Sequence, residues 1–202
     1  MAKAISWGKP GIYIGATGQT LGSSSRFELL STPVEDSTQL TGTQGDKTEA
    51  TIEGGEAEAT RLAAATFELA MNVRMALEDD DKHRILPLEF YGKIPTGQQG
   101  AGNPDISKYT ESSVSVVLIP AEANAPGFYC PTCAVSITET YTAADGAMWE
   151  IVLAPNVPSG GGKAVQFGKY TASKLGTKTT KGNFSVQEYS IADGTTSFLP
   201  TT

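Results

Sequence analysis

Apolar residues recur at every second position over several short stretches of the chain, the period of a strand with one buried face. The most regular run sets Phe67, Leu69, Met71, Val73, Met75 and Leu77 against Glu68, Ala70, Asn72, Arg74, Ala76 and Glu78. Its surroundings, Glu56 to Asp80, are rich in Ala, Leu, Glu and Met, all helix formers. Six consecutive alternations would scatter around a helix, so the period predicts a strand over Ala65 to Leu77 and leaves Glu56 to Ala64 open. Further strands are predicted at Gly11 to Ala16, Arg26 to Leu30, Lys47 to Gly54, Ile85 to Tyr91, Ser112 to Pro120, Ala134 to Thr142, Ala147 to Ala154, Ala164 to Thr171 and Asn183 to Ser190. Val135, Ile137 and Glu139 alternate with Ser136 and Thr138, and Asp145-Gly146 supplies a turn of positive φ that joins this strand to Met148 to Leu153 as a hairpin. Apart from the Ala-rich stretch, helix is expected only at Glu78 to Arg84 and Pro104 to Glu111.

Between these runs lie 22 Gly and 11 Pro, enough to punctuate a sheet protein. Thr17 to Ser25 and Gly97 to Asn103 are polar and Gly-rich, and read as surface loops or arms. Pro155 to Lys163 reads as a flexible connection, and Ala192 to Thr202 as a tail that a neighbour must order. The pattern predicts a mainly β fold, a barrel or sandwich with long loops, formed as a single domain over residues 1–202.

Composition narrows the classes. With 39% hydrophobic and 18% charged residues, the chain is neither a disordered acidic tail nor a membrane protein. Its longest apolar stretch, Val114 to Ile119, is far short of the ~20 residues that cross a bilayer. Met1 to Pro10 holds no apolar leader core, so folding in a cytoplasm is expected. A net charge of −7 repels phosphate backbones and argues against sequence-specific nucleic-acid binding.

The candidate chemistry is sparse. His83 follows the acidic run Glu78 to Asp81, but a calcium loop opening at Asp79 would need Gly and Glu where Arg84 and Phe90 stand. Zinc would need further His or Cys at ligand spacing, so the acidic run is expected to cap or turn the chain, Asp79 included. Cys130 and Cys133 have redox-motif spacing without the strand-to-helix setting, and are expected as two half-buried thiols beside a strand. Gly160-Gly161-Gly162-Lys163 lacks the spacing and the hydroxyl of a phosphate loop, and a triad has no Gly-x-Ser-x-Gly element to build on. Glu49 with Glu53, and Glu56 with Glu58, read as acidic positions on a solvated strand rather than a glycosidase pair. No catalytic, cofactor-binding or metal residue is expected. A structural or binding role leads.

One segment points further. Gln39-Leu40-Thr41-Gly42-Thr43-Gln44 leads into Gly45-Asp46-Lys47-Thr48-Glu49-Ala50 and on to Glu53-Gly54-Gly55-Glu56, and the alternating strand Phe67 to Val73 follows. This resembles the major tail tube proteins of tailed bacteriophages, in which a Thr/Lys/Glu-rich strand ends in an acidic Gly-Gly turn before an alternating strand. The resemblance implies a β-barrel or sandwich flanked by a short helix, joined edge to edge with its neighbours in hexameric rings. Those rings would stack into the hollow tube of the virion tail, assembled in the host cytoplasm, through which double-stranded DNA passes without specific binding. Implied partners are the tape-measure, terminator and baseplate proteins and, in a contractile tail, a sheath. An acidic lumen or an inter-subunit strand is expected among Asp46, Glu49, Glu53, Glu56, Glu58 and Glu68. Two readings stand beside this one. A contractile injection or type VI secretion tube would pass protein, and a β-sandwich decoration or carbohydrate-binding module would expose aromatics such as Trp7, Trp149, Tyr129 and Tyr141, of which Trp149 is expected in the core.

Overall fold

The computed structural model describes residues 9–30, 33–34, 37–51, 57–62, 65–74, 86–91, 113–122, 125–144, 146–181 and 184–194. In chain order these form β1 (Gly11–Ala16), β2 (Gly22–Leu29), β3 (Gln39–Thr43), β4 (Lys47–Thr51), β5 (Ala57–Leu62), β6 (Thr66–Arg74), α1 (Leu86–Tyr91), β7 (Ser113–Ile119), β8 (Gly127–Thr142), β9 (Gly146–Pro155), β10 (Gln166–Gly168), β11 (Tyr170–Lys181) and β12 (Phe184–Asp193). Ten strands share one antiparallel sheet in the order β11-β12-β2-β1-β7-β8-β9-β6-β3, with β10 added beside β8; β4 and β5 form a separate two-stranded ladder.

Alternation decides β6 against helix propensity. Leu69, Met71 and Val73 are buried while Thr66, Glu68 and Arg74 face out. The predicted hairpin is present as β8 and β9, with Thr142 opposite Gly146, whose φ of 77° only glycine adopts without strain. Ala57–Leu62, left open by the sequence, is strand β5.

The sheet cannot be flat. Leu30 continues β2 through its N–H to Ile12 O, and Val34 lies on the line of β3 through its N–H to Asn72 O. Those two lines stand six strand spacings apart in the sheet order, about 29 Å if flat. The chain from Leu30 to Val34 reaches at most about 14 Å. The sheet therefore curls until its flanks approach, and one core fills the concave side: Ile12, Ile14, Val114, Val116, Phe128, Leu69, Met71, Trp149, Ile151 and Leu153. It does not close into the barrel that was one expectation: the outer edge of β2 is bonded to β12, and among the described residues β3 has no second strand partner.

A second core lies on the other face of β1, β2, β7 and the first half of β8. Phe27, Val117, Tyr129, Tyr170 and Ile191 make it, with Tyr13 against Tyr189 at 5.2 Å and Tyr129 against Tyr170 at 6.5 Å. Burial on both faces is why Ser113–Ile119 reads as a nearly unbroken apolar run.

Other expectations need correction. Ile85 to Tyr91 is not a strand: Leu86–Tyr91 is helical, with Pro87 in the first turn, where its missing N–H costs nothing, and with Leu88 in the core. Thr17 to Ser25 is only partly a loop, since β2 begins at Gly22. Its turn is clamped by Gly18 N–H to Pro131 O and Gln19 N–H to Ser115 Oγ, and Ser25, fully buried, accepts the Ile191 N–H at 2.8 Å where β12 shifts register. Ala164 to Thr171 is broken at Lys169 into β10 and β11, and β3 went unforeseen. The expected tail starts too early, since Ala192 and Asp193 belong to β12 and pair with Thr171 and Tyr170; the rest of it after Gly194, the expected helices at Glu78 to Arg84 and Pro104 to Glu111 and the arm Gly97 to Asn103 lie outside the described residues.

Candidate assembly edges

An open sheet leaves two rows of backbone N–H and C=O without a strand partner, and the two ends differ here. β11 carries Lys174, Lys178 and Lys181, and its pairing with β12 shifts register between Lys174 and Lys178. Lysines and a bulge are the usual devices that blunt an edge. β3 has neither: Gln39-Leu40-Thr41-Gly42-Thr43 holds no charge and no proline, and among the described residues it pairs, in unbroken register, with β6 alone.

Apolar surface adjoins that edge. Gly42 sits opposite Phe67, and a Cβ added to it would lie 3.0 Å from the ring. Phe67 meets Phe167 edge-on at 6.2 Å, and Phe167 meets Phe128 at 6.5 Å. Phe167 is 57% exposed. Main chain without a second strand partner among the described residues, beside the exposed Phe167 ring, offers the two things that strand addition uses, ladder hydrogen bonds and apolar side-chain contact.

The expected acidic residues are divided. Asp46 is exposed just before β4, Glu49 stands in β4 opposite Thr60, and Glu58 is the extra residue of β5 where the ladder shifts between Ala50 and Thr51. Glu68 is exposed on β6 opposite Thr41. The β4–β5 ladder and the residue leading into it thus gather three of the set, and Glu68 lies on β6 beside the β3 edge. Glu53 and Glu56 lie outside the described residues, as do His83, Asp79 and Trp7.

Of the candidate aromatics, Trp149 is buried in the core as expected. Tyr129 is not a surface residue: it lies in the second core and donates its hydroxyl proton to Gln19 O. Tyr141 is 78% exposed. Cys130 and Cys133 are fully buried within β8, not half-buried beside a strand. Gly161 and Gly162 adopt positive φ in the loop after β9. Among the described residues no group of three or more His, Cys, Asp and Glu is placed to hold a metal, and no helix is long and apolar enough to cross a membrane.

The sequence did not single out Glu28. It is fully buried on the concave side, opposite Ile14 on one flank and Glu188 on the other. The Tyr91 hydroxyl donates to it. Burial, then the negative charge of Glu28, pushes the Tyr91 hydroxyl well above its ordinary range. Arg26 Nε lies 3.8 Å from Glu188 Oε2, a half-exposed pair that contributes about 0–1 kcal/mol. A charged residue at the inward position of a strand was the available signal.

No family model matches the chain, and no curated protein matches it.

Proposed function

We propose that this chain is a structural subunit, without catalysis, that self-assembles into stacked hexameric rings to form the hollow tail tube of a bacteriophage, the conduit for DNA. The carrying observation is the uncharged β3 edge, which has no second strand partner among the described residues, beside Phe67 and Phe167 at the far end of the sheet from the lysine-bearing β11. With β11 blunted, β3 of one copy would meet a different surface of its neighbour, and such head-to-tail contact generates rings when the rotation closes. The β4–β5 ladder, bonded to no strand of the main sheet among the described residues, supplies an arm that a neighbouring copy can hold. The resemblance of the Gly45 to Glu56 segment and the net charge of −7 support the same reading, since an acidic lumen lets phosphate slide rather than adhere. In this reading the tape-measure, terminator and baseplate proteins, and a sheath if the tail contracts, are its partners, and the assembled chain resides in the virion.

The experiment is negative-stain electron microscopy of the purified protein at high concentration and across salt, with Thr41→Lys beside the wild type. Rings or tubes with a central channel that vanish in Thr41→Lys support the proposal. Uniform small particles from wild type under every condition overturn it, and glycan binding by such a monomer, lost in Tyr141→Ala, would install the binding-module reading.

A further inference from the structure

We propose that Cys130 and Cys133 are a redox modification site, a latent disulfide built into the bulge of β8 and closed by exchange with a small-molecule disulfide. The inference is independent of tube assembly.

The placement of the two side chains needs a cause. In a regular strand, residues three apart point to opposite faces. Cys130 and Cys133 nevertheless share one core, at 0% and 1% exposure. The cause is a register shift: Cys130 stands opposite Val116 and Cys133 opposite Val114, so β8 holds one residue more than β7 across this interval. The extra residue restores both sulfurs to the concave side.

The bulge is fixed from three directions. Pro131 has no N–H to leave unpaired, and its carbonyl accepts Gly18 N–H at 2.8 Å and lies 2.7 Å from Ser115 Oγ. The Thr132 carbonyl accepts Asn156 N–H at 2.8 Å, just past the end of β9. The backbone on either side of the thiols is thus held in place, with both side chains in the same core. Both thiols are free.

The environment sets the rate rather than the outcome. The neighbouring Cys130 and burial together push the Cys133 thiol far up, so thiolate is scarce in the closed fold and exchange proceeds through local opening. One thiolate attacks the external disulfide and releases the first external thiolate. The second cysteine thiolate then attacks the protein-bound sulfur of that mixed disulfide, forming the Cys130–Cys133 bond and releasing the second. The two protons from the cysteines end on the two released thiols, and the two electrons lost by the cysteines reduce the external disulfide. The new bond spans the point where β8 passes from pairing with β10 to pairing with β9, so it pins the bend of the sheet.

The test uses the full chain with oxidised glutathione, with and without sub-denaturing urea, followed by thiol blocking and intact-mass spectrometry. The expected product has lost two hydrogens, carries no blocking group and no glutathione, stays folded by circular dichroism and reverts with a reductant. It forms slowly in buffer and many-fold faster in mild urea, with an upward shift in unfolding temperature. Cys130→Ser and Cys133→Ser each retain one blockable thiol and show no such product. Stable glutathione adducts, intermolecular dimers, or a closed product that cannot regain native circular dichroism would each overturn the proposal.

Discussion

The hydroxyl of Tyr91, the last residue of α1, donates a hydrogen bond to the carboxylate of Glu28, fully buried on β2. The contact ties the helix to the concave side of the sheet, where Leu88 supplies the apolar half of the same attachment. Tyr91→Phe removes the donor from a buried carboxylate and is expected to lower stability by about 1–3 kcal/mol in urea titration. With Glu28→Gln in the background the same change should cost less. A double-mutant cycle with zero coupling would show that the two residues act separately.

Gly127 has no room for a side chain. A Cβ there would lie 2.3 Å from the carbonyl oxygen of Leu118, which belongs to β7 and cannot swing aside. Gly127→Ala is expected to lower stability by about 1–3 kcal/mol, the range for overpacking. Gly160→Ala, with open space around it, is the control and should stay within about 0.5 kcal/mol.

Stability should fall in alkali. Burial raises the hydroxyls of Tyr13, Tyr91, Tyr129 and Tyr170 above their ordinary 10.0, and the Cys133 thiol rises above 9.0. The unfolded chain then loses these protons first, so the stability present below 9.0 is lost progressively as the pH climbs past 9.0 and 10.0 toward the folded values. Urea midpoints against pH should be level through neutrality and drop above those values, less steeply in Tyr91→Phe. A level midpoint throughout would show that the tyrosines ionise without penalty in the folded state.

The proposed tube function makes charge reversal a test of DNA passage. Replacing Asp46, Glu49, Glu53, Glu56, Glu58 and Glu68 together by lysine is expected to retard DNA ejection from virions carrying the variant, most at low salt. Ejection at the wild-type rate would remove these residues from the lumen.

Trp149 and Tyr141 are aromatic residues with opposite roles. Trp149→Ala empties part of the concave core and should cost about 3–5 kcal/mol. Tyr141→Ala, at a mostly exposed ring, should change stability by less than about 0.5 kcal/mol by thermal or urea unfolding.

Strands with one wet face were legible because their side chains alternate: β6, β9 and the second half of β8 follow directly from the spacing of Leu69, Met71 and Val73 or Val135 and Ile137, whereas Gly127 to Cys133, the first half of β8, lies outside the strand expected from Ala134. Where both faces are covered the period disappears. Val116 and Val117 serve different cores, and nothing in their order says so. Buried hydroxyls mislead in the same way, since Ser25 looks like loop but is the acceptor for Ile191 N–H. Leu86–Tyr91 was apolar enough for a strand, and Pro87 was the overlooked sign of a helical first turn. At the candidate site, the acidic positions could be read from the chain, but β3 could not: five uncharged residues acquire meaning only from what lies beside them on the sheet.

The joint between β2 and β12 sets a timetable for synthesis. β2 is complete at Leu29, and the strand that covers its outer flank begins at Phe184. At about 5–20 residues per second, a ribosome needs about 8–30 s to make the intervening chain. For that interval the nascent protein carries an uncovered flank that Ile191 will later occupy, and encounters between nascent copies compete with correct closure. Yield of native protein should therefore respond to elongation rate and to chaperone supply more than the stability of the finished sheet would imply.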